Sequence, residues 1–396
     1  MKVLIALAIM SVFPPEQRAM WVVANTFRDS AEVRKMVEFA HRNGIKIIFA
    51  QIARSGYAYY DSDILPRSEA LKVPEPYDPL AHLLSLTKPL GIQVHAWINA
   101  VAWWSVESPP ESSNHIYYTH PEWFVVDDDG RSMHSYSRQD IRNAGTEARF
   151  LDPMIPEVRK FIASIYIEVA RKYDVDGVHF DFIRYPGPKF GYADWERQFY
   201  ESQHGLDPMF ISDAAKIYTP KWNIMRSKDL YERWMTYHYL RWNWYRRQAV
   251  TEIVKMVHDS IKSFKPNVII SAAVFPNPAS TAFARGQDWR TWVEQGYVDW
   301  VCPMAYTPYP KLFERYTQYA MGVKTGKVKV FMGIGIWFKN AEYYGRQELE
   351  IAEKYGADGV VLFSYNVFHD NPELATKLFA RRKKRVYIGR FGIHAY

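Results

Sequence analysis

Short apolar runs alternate with helical patterns along most of the 396-residue chain. Eight runs have the length of buried strands, and after each one apolar residues recur every three or four positions. The predicted strands cover residues 19–24, 45–51, 92–99, 175–181, 268–275, 299–304, 328–335 and 359–364. The predicted helices cover residues 29–43, 79–90, 156–173, 228–264, 287–295, 311–324, 341–355 and 372–382. Eight strand–helix repeats predict an α/β fold, namely a (β/α)8 TIM barrel.

No segment rich in Gly, Pro or Ser divides the repeats, so residues 16–382 are predicted to form one barrel domain. Residues 383–396 are predicted to be a basic tail that follows the Arg and Lys run at 381–385. Residues 1–15 are interpreted as either a signal peptide or an N-terminal extension, because an apolar stretch lacks a clear cleavage site. A signal would make the protein secreted or periplasmic; otherwise we expect a cytoplasmic one.

Two connections are much longer than the others, residues 100–151 after the third strand and residues 182–227 after the fourth. Both insertions leave the carboxyl ends of strands, which is the end of a barrel where sites are assembled. Both contain many rings, including Trp103, Trp104, Trp123, Tyr192, Trp195 and Trp222. The insertions are therefore predicted to wall a cleft, although rings of this kind also form small cores that hold long loops.

The fourth strand carries the most informative candidate. Strand alternation places His179 and Asp181 on the inner face of the barrel, with Asp181 outermost at the mouth. An inward carboxylate must be paired, hydrogen-bonded or catalytic, since leaving it bare costs several kcal/mol. Asp181 is therefore predicted to be catalytic, the alternative being an ion pair with Arg184 or Arg54. His179 is interpreted either as a core histidine or as a residue that tunes Asp181.

Polar and aromatic side chains also end the neighbouring strands. Rings with flat faces can stack on sugars, and a side-chain amide can bridge a sugar hydroxyl and a carboxylate. The predicted substrate-binding residues are Arg54, His95, Trp97, Asn99, His179, Arg184, Tyr306, Trp337 and Tyr365. Ordinary packing remains the alternative for the rings.

Composition and motifs exclude several other classes of protein. At 48% hydrophobic and 23% charged residues the chain is globular, and with one cysteine, Cys302, it has neither a disulfide scaffold nor a cysteine-rich metal site. No glycine-rich phosphate loop, nucleophile elbow or zinc motif occurs, so no metal or other cofactor is predicted. A net charge of +7 without a basic stripe argues against nucleic acid as a partner. No apolar run approaches the roughly 18 residues of a membrane span.

The remaining chemistry is hydrolysis of a glycosidic bond, which normally needs two carboxyl groups. The fifth and sixth strands end without Asp or Glu, so the partner of Asp181 must come from a loop. Glu107 is chosen as the second catalytic residue, and Asp152 is better explained as a helix cap. The other acids within reach are Asp61, Asp194 and Glu196. A barrel that binds carbohydrate without cleaving it is the alternative function.

Several short motifs occur in an order that resembles the bacterial glycosyl hydrolase-like family 10. The motifs include Arg18-Ala19-Met20-Trp21, Arg54-Ser55-Gly56-Tyr57-Ala58, His95-Ala96-Trp97-Ile98-Asn99 and Asp176-Gly177-Val178-His179-Phe180-Asp181, within roughly residues 18–370. The resemblance implies a (β/α)8 glycosidase that acts on bacterial polysaccharide, with members that look like peptidoglycan glycan-strand hydrolases and are commonly exported. Family members often carry a second acidic residue after the position of Asp181, where this chain has Phe182. Asp181 is therefore the only catalytic candidate that the resemblance transfers, and oligomeric state is not predicted.

Overall fold

A closed barrel of eight parallel strands forms the centre of the computed structural model, which describes residues 13–72, 76–211, 229–379 and the backbone of residues 386–389 and 392–395. Each strand pairs with the next along the chain, and the last pairs with the first. The strands are β1 (Arg18–Val22), β2 (Ile47–Arg54), β3 (Gln93–Asn99), β4 (Gly177–Asp181), β5 (Ile269–Val274), β6 (Trp300–Pro303), β7 (Lys329–Gly335) and β8 (Gly359–Phe363). The predicted TIM barrel is confirmed.

Helices follow the strands and cover the outside of the barrel. They are α1 (Ser30–Arg42), α2 (Pro79–Thr87), α3 (Ile116–Thr119), α4 (Arg138–Asn143), α5 (Pro156–Lys172), α6 (Asp194–His204), α7 (Leu230–Phe264), α8 (Pro278–Arg285), α9 (Trp289–Glu294), α10 (Pro310–Val323), α11 (Ala341–Lys354), α12 (Tyr365–Asp370) and α13 (Glu373–Phe379). Short 3-10 turns occur at Pro15–Gln17, Ala24–Arg28, Lys88–Leu90, Pro121–Trp123, Met133–Ser135 and Pro208–Phe210.

Five helices were not predicted, of which α3 and α4 lie inside the insertion after β3. Helix α6 lies inside the insertion after β4, and α8 and α12 begin soon after β5 and β8. Helix α8 has a local signal, because Asn277 caps it by accepting from the Ser280 N–H at 3.1 Å and Pro278 occupies its first turn. Short helices of this length have too few periodic positions to stand out in the hydrophobic pattern.

The barrel separates two hydrophobic cores. One lies between strands and helices, and the other fills the interior of the barrel with side chains that include Trp21, Phe49, Trp97, Trp300 and Phe331. Because inward side chains fill the lower layers, only the uppermost layer at the carboxyl ends of the strands faces a cleft. The fold therefore confines the site to one end of the barrel.

The two long insertions contact each other above that end. Within the first, residues Ala102–Trp104 pair antiparallel with Arg149–Phe150. A β-bridge joins Asp127 of the first insertion to Phe190 of the second, beside a hydrogen bond from the Asp128 N–H to the Lys189 carbonyl at 2.9 Å. The insertions thus form one wall, as predicted, while Trp222 lies outside the described residues.

Parts of the predicted domain organisation fall outside the described residues, namely residues 1–12 and the basic run 381–385. Within the predicted tail, Val386–Gly389 pairs antiparallel with Gly392–Ala395. The predicted domain boundaries stay predictions. Among the helices of the described residues, none combines the length and the apolar character that crossing a bilayer requires.

Gly177→Ala is expected to destabilise the strand that carries Asp181. A methyl group at position 177 would lie 2.5 Å from His95 Nδ1 and 2.8 Å from the Ile269 carbonyl oxygen, and the backbone oxygen cannot move aside. We expect the free energy of unfolding to fall by about 1–3 kcal/mol, measured by urea denaturation. The matched control is Gly322→Ala in α10, where no atom lies within 4 Å and stability should be unchanged or slightly raised. Equal stability of the two variants would contradict this account of the packing.

Candidate active site

Asp181 ends β4 at the mouth of the barrel and is 9% exposed. One carboxylate oxygen accepts from the Trp97 indole N–H at 3.1 Å, and the other accepts from the Phe182 backbone N–H at 2.7 Å. Both donors come from elements that the barrel holds rigidly, since Trp97 lies on the neighbouring strand β3 and Phe182 follows Asp181 directly. The carboxyl group is therefore fixed in one orientation towards the cleft.

Burial raises the pKa of Asp181 to about 6, and the negative charge of Glu147 acts in the same direction. The hydrogen bonds from Phe182 and Trp97 and the positive charge of Arg184 act against the rise in pKa without cancelling it. A carboxyl group with a pKa near 6 can both give and take a proton close to neutral pH. Asp181 thus has the position and the proton affinity of an acid/base group.

Asn99 lies beside Asp181, because the two residues are register partners on β3 and β4. The Gln51 side-chain N–H donates to Asn99 Oδ1 at 3.1 Å, and the side-chain oxygen Oε1 of Gln51 accepts from the Ala24 backbone N–H at 3.1 Å. These two hydrogen bonds hold the Asn99 side chain in place with its oxygen already engaged, so its NH2 group is left to face the cleft. Asn99 can therefore donate to an oxygen of a ligand bound next to Asp181.

Glu147 supplies a second carboxylate that lines the cleft. It precedes the short strand Arg149–Phe150 of the first insertion, and its Oε1 pairs with Arg184 Nη2 at 3.0 Å. The Arg184 side chain is 3% exposed, whereas Glu147 is half exposed to the cleft. The Arg184 guanidinium also lies over the rings of Phe182 and Phe275, each at 5.0 Å from the ring centroid. Arg184 thus links the wall of the insertion to the strand end that carries Asp181.

The cleft between these residues has a volume of about 620 Å³. It is lined by the carboxyl ends of the strands and by the first insertion, and rings form much of its surface. The aromatic residues that line it are Trp21, Trp97, Phe182, Phe275, Tyr306, Tyr316 and Phe363. A concave, mostly apolar pocket with a few fixed polar groups is typical of a small-ligand or sugar site.

Two of the strand ends at the cleft carry unusual backbone conformations. Ser55 after β2 and Phe182 after β4 have φ angles of 52°, in the left-handed region that residues with a Cβ rarely adopt. At Phe182 this turn points the backbone N–H back onto the Asp181 carboxylate. Strained backbone that serves a specific contact in this way is typical of functional sites.

His95 and His179 lie below the cleft and do not line it, which differs from their prediction as substrate-binding residues but agrees with the alternative of a core histidine for His179. His179 is fully buried, and its Nε2 accepts from the Trp21 indole N–H at 3.2 Å while its Nδ1 lies 2.9 Å from Ser271 Oγ. His95 stacks on Trp300 at a centroid distance of 4.7 Å, and burial lowers its pKa to about 3. Burial favours the uncharged form of both rings. Strand alternation places both on the inner face, and His179 one layer below Asp181, where the barrel is filled with side chains.

Glu107 and Tyr365 also lie away from the cleft. Glu107 is exposed, and its Oε2 accepts from the Arg138 backbone N–H at 2.8 Å. Tyr365 begins α12 and packs against Phe39 of α1 on the outer side of the barrel, since the chain turns into a helix directly after β8. Trp337 is 45% exposed and lies next to the cleft, 5.0 Å from the ring of Tyr306.

The other acids that were predicted to be within reach of Asp181 form ion pairs on the surface or are buried away from the cleft. Asp61 pairs with Lys172 and Asp194 with Arg197 on the surface. Asp152 is fully buried but does not cap α5, whose N-cap residue is Ile155; its Oδ1 accepts from the Tyr185 hydroxyl at 2.8 Å. Glu196 is fully buried as well, and burial together with the charge of Asp152 raises its pKa to about 8.

The residue that sequence reasoning missed is Glu147. No motif marks it, and it lies near the end of a 52-residue insertion, at positions 100–151, whose course the hydrophobic pattern does not predict. Its position just before the chain returns to the barrel for α5 is the one available signal, because a returning insertion must pass the rim.

Within the part of the chain that the structure describes, no three His, Cys, Asp or Glu side chains are grouped as a metal site would require.

A (β/α)8 barrel with two carboxyl groups in an aromatic cleft at the carboxyl ends of its strands is the architecture of many glycoside-cleaving enzymes. The chain belongs to the family described as Glycosyl hydrolase-like 10, whose sequence profile matches residues 16–344. This confirms the resemblance found in the sequence. Family membership and fold together support a glycosidase.

The curated relatives of the chain include proteins named as glycosyl hydrolases. The chain is 29% identical over 327 residues to the glycosyl hydrolase DigH of Escherichia coli (strain K12), covering 76% of this chain and 64% of that protein. It is 25% identical over 325 residues to the glycosyl hydrolase YngK of Bacillus subtilis (strain 168), covering 74% of this chain and 54% of that protein. The chain therefore spans a little under two thirds of DigH and about half of YngK.

Solved structures share the fold at low sequence identity. The glycoside hydrolase domain of PgaB (BpsB) from Bordetella bronchiseptica matches with a TM-score of 0.64 and 12% identity, covering 93% of this chain and 99% of that domain. The catalytic domain of a beta-amylase from Paenibacillus polymyxa matches with a TM-score of 0.60 and 14% identity, covering 93% and 98% of the two chains. At these identities the likeness concerns the fold alone.

Proposed function

We propose that the protein hydrolyses glycosidic bonds of a polysaccharide or oligosaccharide, with Asp181 and Glu147 as its two catalytic carboxyl groups. The observation that carries the proposal is that these two carboxyl groups line one aromatic cleft in contrasting surroundings. Asp181 is buried with a pKa of about 6, whereas Glu147 is half exposed and ion-paired with Arg184. Pairs of carboxyl groups with different environments are how glycosidases divide acid and base work.

In this proposal Asp181 protonates the leaving glycosidic oxygen as the glycosidic bond breaks. Glu147 either attacks the sugar carbon, after which water cleaves the glycosyl ester and gives its proton to Asp181, or takes a proton from the water that attacks the sugar carbon directly. The Asn99 amide donates to a sugar hydroxyl next to Asp181, which positions the ring. Trp97, Tyr306 and Phe363 supply apolar faces against which sugar rings pack.

We further propose bacterial cell-wall glycan as the substrate, such as the glycan strands of peptidoglycan. The family resemblance carries this step. Such a glycan lies outside the cytoplasm, so the proposal goes together with export of the protein.

The test is a screen of the purified protein against a panel of polysaccharides, including peptide-free peptidoglycan strands, with analysis of released reducing ends and product size. Cleavage of at least one polymer that depends on Asp181 supports the proposal. Binding to a glycan without any cleavage would instead support a carbohydrate-binding barrel and overturn the proposed hydrolysis.

The rate of cleavage should fall as pH rises through about 6. Asp181 acts as the acid only while it is protonated, and above its pKa the protonated fraction drops about tenfold per pH unit. Trp97→Phe removes the indole N–H that favours the charged form, so the pKa of Asp181 should rise and the alkaline limb of the profile should move to higher pH. Profiles of kcat/KM against pH for the two proteins measure this. A limb that stays in place, or moves to lower pH, would contradict the assigned hydrogen bond.

A further inference from the structure

Helix α7 extends past the rim of the barrel. Its 35 residues span about 52 Å, roughly twice the length of the 17-residue helix α5 that packs beside it. Both helices end a few residues before the next strand begins, at the amino ends of the strands. Arg246 lies near the start of α5, since its guanidinium is 4.4 Å from the Tyr185 ring centroid and the Tyr185 hydroxyl donates to Asp152 just before α5. The first half of α7, residues 230–248 (the arm), therefore lies at and beyond the rim, on the side of the cleft.

Other helices cover two sides of the arm. His238 faces α6, where the Tyr200 hydroxyl lies 3.0 Å from its Nδ1. Tyr239 faces α8, with its ring centroid 5.6 Å from that of Phe283. The third side is exposed to solvent and carries six residues that we name the stripe: Leu230, Trp234, Tyr237, Arg241, Trp244 and Gln248.

The stripe has the spacing of a contact between two helices. Its residues are separated by alternating steps of four and three positions, which is the repeat along which helices pack in a seam. The solvent face of a helix normally carries polar residues at such positions. Here Trp234, Tyr237 and Trp244 are 44%, 50% and 45% exposed. Spacing and composition together indicate that the stripe packs on another helix.

Rings of α6 extend the same surface. Trp195 and Phe199 stack at a centroid distance of 5.9 Å with their planes 8° apart, and Phe199 lies 6.1 Å from the ring of Tyr245 in the arm. At roughly 200 Å² for a whole aromatic side chain, the exposed parts of Trp195, Phe199, Tyr231, Trp234, Tyr237 and Trp244 amount to about 600 Å². Each side of a standard protein–protein interface buries about 800 Å². These rings and their polar neighbours therefore supply the area that a stable dimer needs.

We propose that the stripe is the interface of a homodimer in which the arms of two copies pack antiparallel. The spacing of the stripe is symmetric about position 239, so the stripe pairs with itself when it is read in opposite directions. Tyr237 of one copy then lies opposite Arg241 of the other, where the guanidinium packs on the face of the ring. Trp234 lies opposite Trp244 in the same way. Parallel arms would instead place the two Arg241 side chains against each other, which their equal charges oppose.

The mass of the full chain in solution tests the dimer. Light scattering after size-exclusion chromatography, with about 100 µM protein to exceed a micromolar Kd, should give twice the mass of one chain. Tyr237→Arg places a second guanidinium opposite Arg241, so the Kd of the dimer should rise roughly 100-fold or more. Tyr237→Glu offers Arg241 a carboxylate at the same position, so this variant should dimerise at least about tenfold more tightly than Tyr237→Arg.

Tyr319→Arg is the matched control, because it makes the same change at a ring of α10 that is 39% exposed and lies outside the stripe. Its dimer should be as stable as that of the unsubstituted protein. Circular dichroism of every variant checks that the fold is intact.

Cross-linking tests the antiparallel order of the arms. Leu240 lies beside the stripe next to its centre, so the thiols of two Leu240→Cys chains should come within about 10 Å and be joined by a short bismaleimide. The thiols of two Leu230→Cys chains would lie about 27 Å apart along the helices and should not be joined. The native cysteine, Cys302, is buried and does not interfere.

Three results would each overturn the proposed dimer: the mass of a single chain at every concentration, equal association of Tyr237→Arg and Tyr237→Glu, or cross-linking of Leu230→Cys in place of Leu240→Cys. A monomer whose binding to a soluble glycan is lost in Trp234→Ala would overturn it as well and would assign the stripe to carbohydrate.

Discussion

Asp181→Asn is expected to lower kcat on a cleaved glycan by roughly 10³-fold, the range for loss of a general acid. Asparagine has almost the same size, and its oxygen can still accept from the Phe182 N–H that Asp181 uses at 2.7 Å. The fold should therefore survive, and the affinity for substrate should change little. Initial rates at saturating substrate, with circular dichroism and a thermal melt on the same samples, measure the two effects separately.

Asp194→Asn is the control for that substitution. Asp194 is an acid of the second insertion whose side chain is 84% exposed and paired with Arg197, so removing its charge should change kcat less than twofold. If Asp181→Asn kept full activity, or if the two variants lost activity equally, Asp181 would not be the acid.

The contrast between these two aspartates illustrates what the sequence could predict. A strand of parallel sheet alternates its side chains strictly, so the inward position and mouth location of Asp181 followed from its place at the end of an apolar run. The same rule placed His95 and His179 on the inner face, where they lie. The rule could not tell how far the cleft extends into the barrel. The layer below Asp181 is already filled, so the two histidines contact Trp300 and Trp21 and no ligand site.

The positions of residues in the long insertions could not be predicted from strand alternation, for a different physical reason. The position of Glu147 depends on the pairing of Ala102–Trp104 with Arg149–Phe150 and on its ion pair with Arg184, contacts that join residues far apart in sequence. Neither periodicity nor propensity encodes such contacts. Glu107, the residue chosen instead, lies in the same insertion but accepts from the Arg138 N–H outside the cleft.

The cleft is therefore an electrostatic unit made from three parts of the chain. β4 contributes a buried carboxyl group, the first insertion contributes Glu147, and Arg184 pairs with Glu147 at 3.0 Å while it also acts on Asp181. The charges of Glu147 and Arg184 act in opposite directions on the pKa of Asp181. The two charges therefore partly balance each other in their effect on the pKa of Asp181. Removing the charge of either Glu147 or Arg184 should shift the pH profile of the activity.

Glu147→Gln should therefore have two effects. The loss of the second carboxylate should lower kcat by roughly 10²- to 10⁴-fold, as expected for a group that acts directly on the reacting sugar. It should also lower the pKa of Asp181 below about 6, because a negative charge that raises this pKa is gone and Arg184, which lowers it, is no longer neutralised. The alkaline limb of the residual activity should then move to lower pH. A loss of activity without that shift would contradict the assigned effect of the Glu147 charge on Asp181.

Glu107→Gln is the matched control, since it makes the same chemical change in the same insertion but outside the cleft. It should leave both kcat and the pH profile unchanged.

Determination of the anomeric form of the first product by NMR then separates the two ways in which Glu147 can act. Retention of configuration by the unsubstituted protein, together with recovery of the Glu147→Ala rate by added azide, indicates that Glu147 is the nucleophile. Azide fits the space left by the truncated side chain and attacks the sugar carbon to give a glycosyl azide of inverted configuration. Inversion by the unsubstituted protein indicates that Glu147 activates water. A rate and limb equal to those of Glu107→Gln would remove Glu147 from the mechanism and require a different partner for Asp181.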